Sequence, residues 1–189
     1  MDNKLKIINY LGKNINQAFT MHELSKLTKI PYATFHRTIK KMKEIVNLKT
    51  AGKSTLVELN KDNPAIKSYL TISSEEYKME YLKKYPLITK ITKELNADET
   101  VLLFGSYAKG TEKASSDIDL LIINSQGNKS ISFSRYEILF KKKINPIFIT
   151  KNEFVKMLKE KEENVGKQAL KDHVILSNPE RFWGYVLNG

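Results

Sequence analysis

The sequence predicts an α+β protein in two parts: a mostly helical segment with a β-hairpin over residues 1–72, and a small mixed sheet flanked by helices over residues 73–189. Three observations point there. Apolar residues recur at helical spacing through the first third and then give way to two strand-like runs around Gly52. Further on, two apolar runs, one ending at Phe104 and one spanning Leu120 to Ile123, are bounded by breakers and read as buried strands. Ser/Thr-x-x-Glu patterns at Thr20, Ser73 and Ser134 mark helix starts between these elements.

Composition bounds the rest. A chain of 189 residues that is 41% hydrophobic can build a core, and the lack of cysteine excludes disulfides and thiolate metal sites. No apolar run approaches a membrane span, and residues 1–20 do not resemble a signal peptide, so a soluble cytoplasmic protein without a membrane partner is expected. The net charge of +11 is uneven, with +8 in residues 1–72 and +3 in residues 73–189. Such a bias suits a nucleic-acid partner, although a Lys-rich amino-acid usage would also produce positive charge.

In the first segment Leu5, Ile7, Ile8, Leu11 and Ile15 line one face of a helix ending near Gly12 to Asn14. Thr20 and Glu23 form a capping box before a second helix with Leu24 and Leu27 inward. Pro31 sits at the start of a third, Tyr32 to Glu44, burying Phe35, Ile39 and Met42. Asn47–Thr50 and Ser54–Leu59 then form a hairpin turning at Gly52. This order is that of a winged helix-turn-helix. In that arrangement Tyr32–Glu44 is the recognition helix and Lys49–Ser54 the wing. Tyr32, Thr34, His36, Arg37, Lys40, Lys41 and the wing residue Lys53 then face outward toward DNA, or toward a docked protein, since winged helices serve both. His22 and His36 read as surface residues.

A helical linker follows. Asn63-Pro64 starts a helix to Leu70, Ser73–Glu76 caps another to about Tyr85, and after Pro86 a third ends near Asn96. The boundary between the two parts is placed at residues 72–74, with residues 73–97 leading into the second.

Val101 to Ile123 is the stretch around which the second part is organised. Phe104 closes one strand, Gly105-Ser106 breaks it, and Ser106–Lys113 has room for one or two helical turns before Asp117-Ile118-Asp119 opens the next. Two residues apart on a strand, Asp117 and Asp119 point to the same face. A Gly-Ser turn opening a helix offers backbone N–H groups to phosphate, and two facing carboxylates suit the Mg²⁺ that accompanies it. Gly105-Ser106-Tyr107-Ala108-Lys109-Gly110-Thr111 and Ser116-Asp117-Ile118-Asp119-Leu120 resemble the signature of the DNA polymerase β superfamily, in particular its minimal nucleotidyltransferases. The resemblance implies that Gly105, Ser106 and Lys109 meet the phosphates of a nucleoside triphosphate, expected to be ATP. It also implies that Asp117 and Asp119 are the catalytic carboxylates of a site for two Mg²⁺.

After the second strand, Ser125–Lys129 reads as a loop, Ser134–Lys142 as a short capped helix, and Ile144–Ile149 as a third strand whose Pro146 suits an edge. Thr150–Glu153 starts a longer helix with Phe154, Val155, Leu158 and Val165 inward. Val174–Leu176 is a short final strand, His173 beside it a structural residue, and Asn178-Pro179 caps a last helix carrying Phe182, Trp183 and Val186. Lys141–Lys143 and Lys159–Glu163 read as solvated helix faces.

In the family a third carboxylate lies on the strand beside the Asp pair, and here Asn145 takes that position. An amide is a poor Mg²⁺ ligand and no base, so Glu137 or Asp172 would have to substitute in space. The resemblance implies transfer of a nucleoside monophosphate from an NTP to an unidentified acceptor, with a protein acceptor among the options. Small members of the family often act on a partner protein, sometimes as antitoxin beside a helical toxin, and a homodimer is compatible. The alternative is a catalytically weak or inactive nucleotide-sensing transcription regulator or antitoxin-like protein.

Overall fold

The computed structural model describes residues 1–95 and 98–189. The chain divides into two compact units, Met1–Glu76 and Tyr77–Gly189.

In the first unit α1 (Asn3–Lys13) starts where the Asp2 carboxylate accepts the Lys4 N–H at 3.0 Å, and it buries Ile7, Ile8 and Leu11. After it come β1 (Phe19–Thr20), α2 (Met21–Leu27), α3 (Tyr32–Lys40), β2 (Val46–Ala51) and β3 (Ser54–Leu59). Thr20 caps α2 by accepting the Glu23 N–H at 3.1 Å. The pairing of Ala51 with Ser54 leaves Gly52-Lys53 as the hairpin turn, where Gly52 has φ +58. The two-residue β1 joins β3 antiparallel, giving a sheet of order β1-β3-β2 that the sequence did not foretell.

Pro31 stands at the start of α3 as expected, as its N-cap. Two expectations need correction here. Leu27, the last residue of α2, is 43% exposed and does not face inward. Helix α3 ends at Lys40 instead of Glu44, because Met42 N–H bonds back to Ile39 O and the Met42 carbonyl accepts from Ile45 and Val46, turning the chain into β2. Met42 is buried all the same.

Where two linker helices were expected, α4 (Ile66–Lys84) is continuous. The Ser73 hydroxyl donates to Leu70 O at 2.9 Å within the helix, so it caps nothing, and Asn63 and Pro64 lie in the turn before Ile66. Next is α5 (Pro86–Thr92) with Pro86 in its first turn; Asn96, near which its end was expected, lies outside the described residues.

The second unit is built on β4 (Thr100–Phe104), β5 (Ile118–Asn124), β6 (Ile144–Thr150) and β7 (Val174–Ser177), in the order β6-β5-β4-β7. β5 and β6 are parallel and the other pairs antiparallel, so the sheet is mixed. All five residues of β4 are buried, as are Ile118 and Leu120 to Ile123. Each such aliphatic side chain contributes about 1.5–3 kcal/mol relative to exposure, which makes the β4–β5 pair the rigid base of the unit. Between the strands lie α6 (Gly105–Lys109), α7 (Ser134–Phe140), α8 (Lys151–Lys159) and α9 (Val165–Lys171), and α10 (Pro179–Asn188) follows β7.

The edge strand β6 is blunted along its length. Ile144 N–H donates to Glu137 Oε1 at 2.9 Å, Pro146 has no N–H, and Thr150 N–H donates to Glu153 Oε2 at 2.7 Å. The last bond is half of the capping box that starts α8, the other half being Glu153 N–H to Thr150 Oγ1 at 3.2 Å.

The supposed box at Ser134 is a misreading: Phe133 is the N-cap, no side chain caps the helix, and Glu137 is spent on Ile144. α7 stops at Phe140 with Lys141 left-handed at φ 51, so Lys141–Lys143 is not a helix face. The long helix after Thr150 is two, because Glu160 is extended and Val165 begins α9. His173 is buried against Phe182 and Trp183, with ring centroids 5.1 and 5.8 Å away.

Candidate functional site

The site grows from the end of β4. Phe104 pairs with Asp119 across the ladder, and the chain then turns into α6 through Gly105 at φ +69. A Cβ at Gly105 would sit 2.3 Å from Asp119 Oδ2, so only glycine lets the turn approach this carboxylate so closely. The first N–H groups of α6 have no acceptor within the helix, and the turn that presents them lies against the carboxylate.

Asp117 and Asp119 flank buried Ile118 at the start of β5, both half-buried on one face. On the neighbouring strand Asn145 pairs in register with Asp119. Its Nδ2 donates to Asp117 Oδ2 at 3.2 Å and to Asp119 Oδ1 at 3.3 Å. The three side chains that the sequence singled out therefore do meet. Ser106 is half-buried in the first turn of α6. Lys109, in the last turn of α6, is exposed and its ammonium lies 3.7 Å from Asp172 Oδ2.

Neither proposed substitute for the third carboxylate joins the pair. Asp172 faces Lys109 and Glu137 holds Ile144 N–H. Among the described residues no group of three or more His, Cys, Asp or Glu is placed to hold a metal. The two carboxylates fit one Mg²⁺ that brings phosphate and water as its remaining ligands, the common manner of Mg²⁺ binding at nucleotide sites, while Asn145 turns its amide N–H to them and offers no ligand there.

Sequence reasoning missed the support beneath the turn. Tyr81 and Tyr85, one helical turn apart, stack at 4.3 Å, and Tyr85 meets Tyr107 of α6 edge-on at 6.2 Å. The Tyr81 hydroxyl donates to Tyr107 O at 3.0 Å, and the Tyr85 hydroxyl donates to Glu112 Oε1 at 3.0 Å. Burial, then the charge fields of Tyr85 and Glu112, push the Tyr81 hydroxyl far up; burial, then its bond to Glu112, raises Tyr85. Both hydroxyls thus stay protonated donors at neutral pH and pin α6 and the loop to Asp117 from below. The recurrence of Tyr77, Tyr81 and Tyr85 every four residues was the available signal. Lys143 was missed too: its ammonium lies 3.7 Å from Asp117 Oδ2.

The nucleotidyltransferase domain family matches the chain over residues 85–183, just over half its length, from Tyr85 through Trp183. The chain belongs to this family. No curated protein and no solved structure matches it. The nucleotidyltransferase domain therefore takes in β4, the Gly105-Ser106 turn, the Asp pair, Asn145 and the buried end of the sheet at β7. Nucleotidyl transfer is the chemistry that this family performs, and domains of this family generally use NTP and divalent metal. No helix among the described residues is long and apolar enough to cross a membrane.

In the first unit, Tyr32, Arg37, Lys40, Lys41 and Lys53 are exposed, while Thr34 and His36 are half-buried. Tyr32 stacks on His36 at 6.2 Å and meets His22 at 5.8 Å. Thr34, Arg37, Thr38 and Lys41 line an open groove together with Lys4 at the start of α1. Lys53 stands apart from them, in the hairpin turn.

Proposed function

We propose that this chain is a Mg²⁺-dependent nucleotidyltransferase that moves a nucleoside monophosphate from an NTP, ATP being the expected donor, onto an acceptor hydroxyl and releases pyrophosphate. The observation that carries the reading is the close approach of Asp119 to the glycine turn, its Oδ2 so near Gly105 that no side chain fits between them, with Asp117 joined to it through Asn145. Asp117 and Asp119 would hold the Mg²⁺, which when bound neutralises charge on the reacting phosphates. The first N–H groups of α6 and the Ser106 hydroxyl would bind phosphate oxygens. Tyr81 and Tyr85 keep that turn in place, so the protein's contribution is mostly positioning. Lys109 reaches a phosphate only by leaving Asp172; for a pair this exposed the cost is under about 1 kcal/mol.

The proton of the acceptor hydroxyl finds no base at Asn145, whose amide nitrogen is turned to both carboxylates. This favours slow transfer, and it is the specific observation behind the second reading, a nucleotide-sensing regulator that does not turn over. A protein hydroxyl, such as one on a small helical toxin-like partner, is the acceptor class that the resemblance suggests. The order of three helices, hairpin and three-stranded sheet, together with the positive charge of residues 1–72, supports a DNA-binding winged helix in the first unit, with α3 as its reading helix. Incubation of the full chain with α-labelled ATP, Mg²⁺ and cell extract tests the enzyme reading. Label on an acceptor with matching pyrophosphate release supports it. Mg²⁺-dependent ATP binding with no release supports the sensor.

A further inference from the structure

The register of β5 and β6 sets two short patterns against each other. Ile118 pairs with Ile144 and Asp119 with Asn145, and Ile118 N–H donates to Lys143 O at 2.9 Å, so Asp117 falls opposite Lys143. Asp117-x-Asp119 on one strand therefore faces Lys143-x-Asn145 on the next. Both partners are engaged: Lys143 Nζ lies 3.7 Å from Asp117 Oδ2, and Asn145 Nδ2 bonds that same oxygen and Asp119 Oδ1. The oxygens left over are Asp117 Oδ1 and Asp119 Oδ2, and the latter points at the Gly105 turn where phosphate would sit.

We propose, resting on the nucleotidyltransferase reading above, that Lys143 and Asn145 replace the second metal ion, so that the site takes one divalent cation per chain, held on the side of the Gly105 turn. An ammonium and an amide N–H on the β6 side supply positive charge and donors where a third carboxylate would draw in another cation. The two carboxylates carry a charge of −2, and Lys143 returns +1 of it without a metal. As an exposed group Lys143 adds little to folding stability, and its effect is on the local potential that a cation meets. It is a positioning residue for Asp117, and it need not touch the nucleotide.

The test counts bound Mn²⁺ on the full chain, by electron paramagnetic resonance of the free ion, with a non-hydrolysable ATP analogue present. One Mn²⁺ per chain is expected for the wild type. Lys143→Ala should tighten it about fivefold at low salt, from the lost repulsion between the single charge of Lys143 and a doubly charged ion roughly 8 Å away in a water-like medium, with the gain shrinking as salt rises. The double variant Lys143→Ala, Asn145→Asp should bind two. Two Mn²⁺ in the wild type, or one in the double variant, overturns the replacement while leaving the nucleotidyltransferase site intact. No Mn²⁺ in any variant overturns both.

Discussion

Replacing Gly105 by Ala tests the geometry at its tightest point, and the structure provides its own control. Gly105 and Gly110 have nearly the same positive φ, +69 and +68, so a Cβ at either incurs the cost of positive φ, about 1–2 kcal/mol. They differ in what the Cβ meets. At Gly110 nothing lies within 4 Å, whereas at Gly105 the Asp119 carboxylate is 2.3 Å away and its Cγ 3.3 Å. Gly110→Ala is therefore expected to lower the melting temperature by a few degrees, at about 2–4 °C per kcal/mol, and to leave Mg-ATP binding in place. Gly105→Ala incurs the cost of positive φ and must also turn the carboxylate aside, breaking its 3.3 Å bond from Asn145. Its Mg-ATP affinity should fall by more than about tenfold, a loss of at least ~1.4 kcal/mol confined to binding. Thermal unfolding and titration calorimetry on both variants give the answer. Equal binding losses in the two variants, or undiminished binding in Gly105→Ala, would refute the close approach of turn and carboxylate.

Asn145→Asp restores a negative charge in nearly the same volume, so tighter Mg²⁺ binding and faster incorporation of labelled nucleotide are expected, with general-base help worth about 10²–10⁴ in rate at most. A fast wild type that this change slows would place the third ligand elsewhere. In the first unit, Ala replacements of Arg37, Lys40, Lys41 and Lys53 should each lower the log–log salt slope of duplex-DNA binding by about one where the residue meets phosphate. An unaltered slope in all of them would turn the reading toward a protein partner.

The strands of the second unit and the placing of its Asp pair were legible in the sequence because they depend on local signals. Apolar runs ending at Phe104 and starting at Leu120 are strands whatever surrounds them, and a spacing of two puts Asp117 and Asp119 on one face. The register that brings Asn145 to Asp119 followed only from the family resemblance. Hydroxyl residues misled where their tertiary setting decides. Ser73 precedes a Glu at capping distance, yet inside α4 its hydroxyl bonds back to Leu70, and Ser134 repeats the pattern while Glu137 serves β6. Thr150, with the same spacing, forms the real box. The two-residue β1 is too short for any periodicity to show. The pairing of Lys143 with Asp117 is a cross-strand contact that the Lys141–Lys143 run concealed.

The central claim is that Asp117 and Asp119 hold the cation that carries the nucleotide. Titration calorimetry of Mg-ATP into the wild type, Asp117→Ala and Asp119→Ala, each with and without Mg²⁺, tests it most directly. The account predicts Mg²⁺-dependent binding in the wild type and loss of most of it in both variants, with unchanged circular dichroism. Undiminished Mg-ATP affinity in both variants would contradict it.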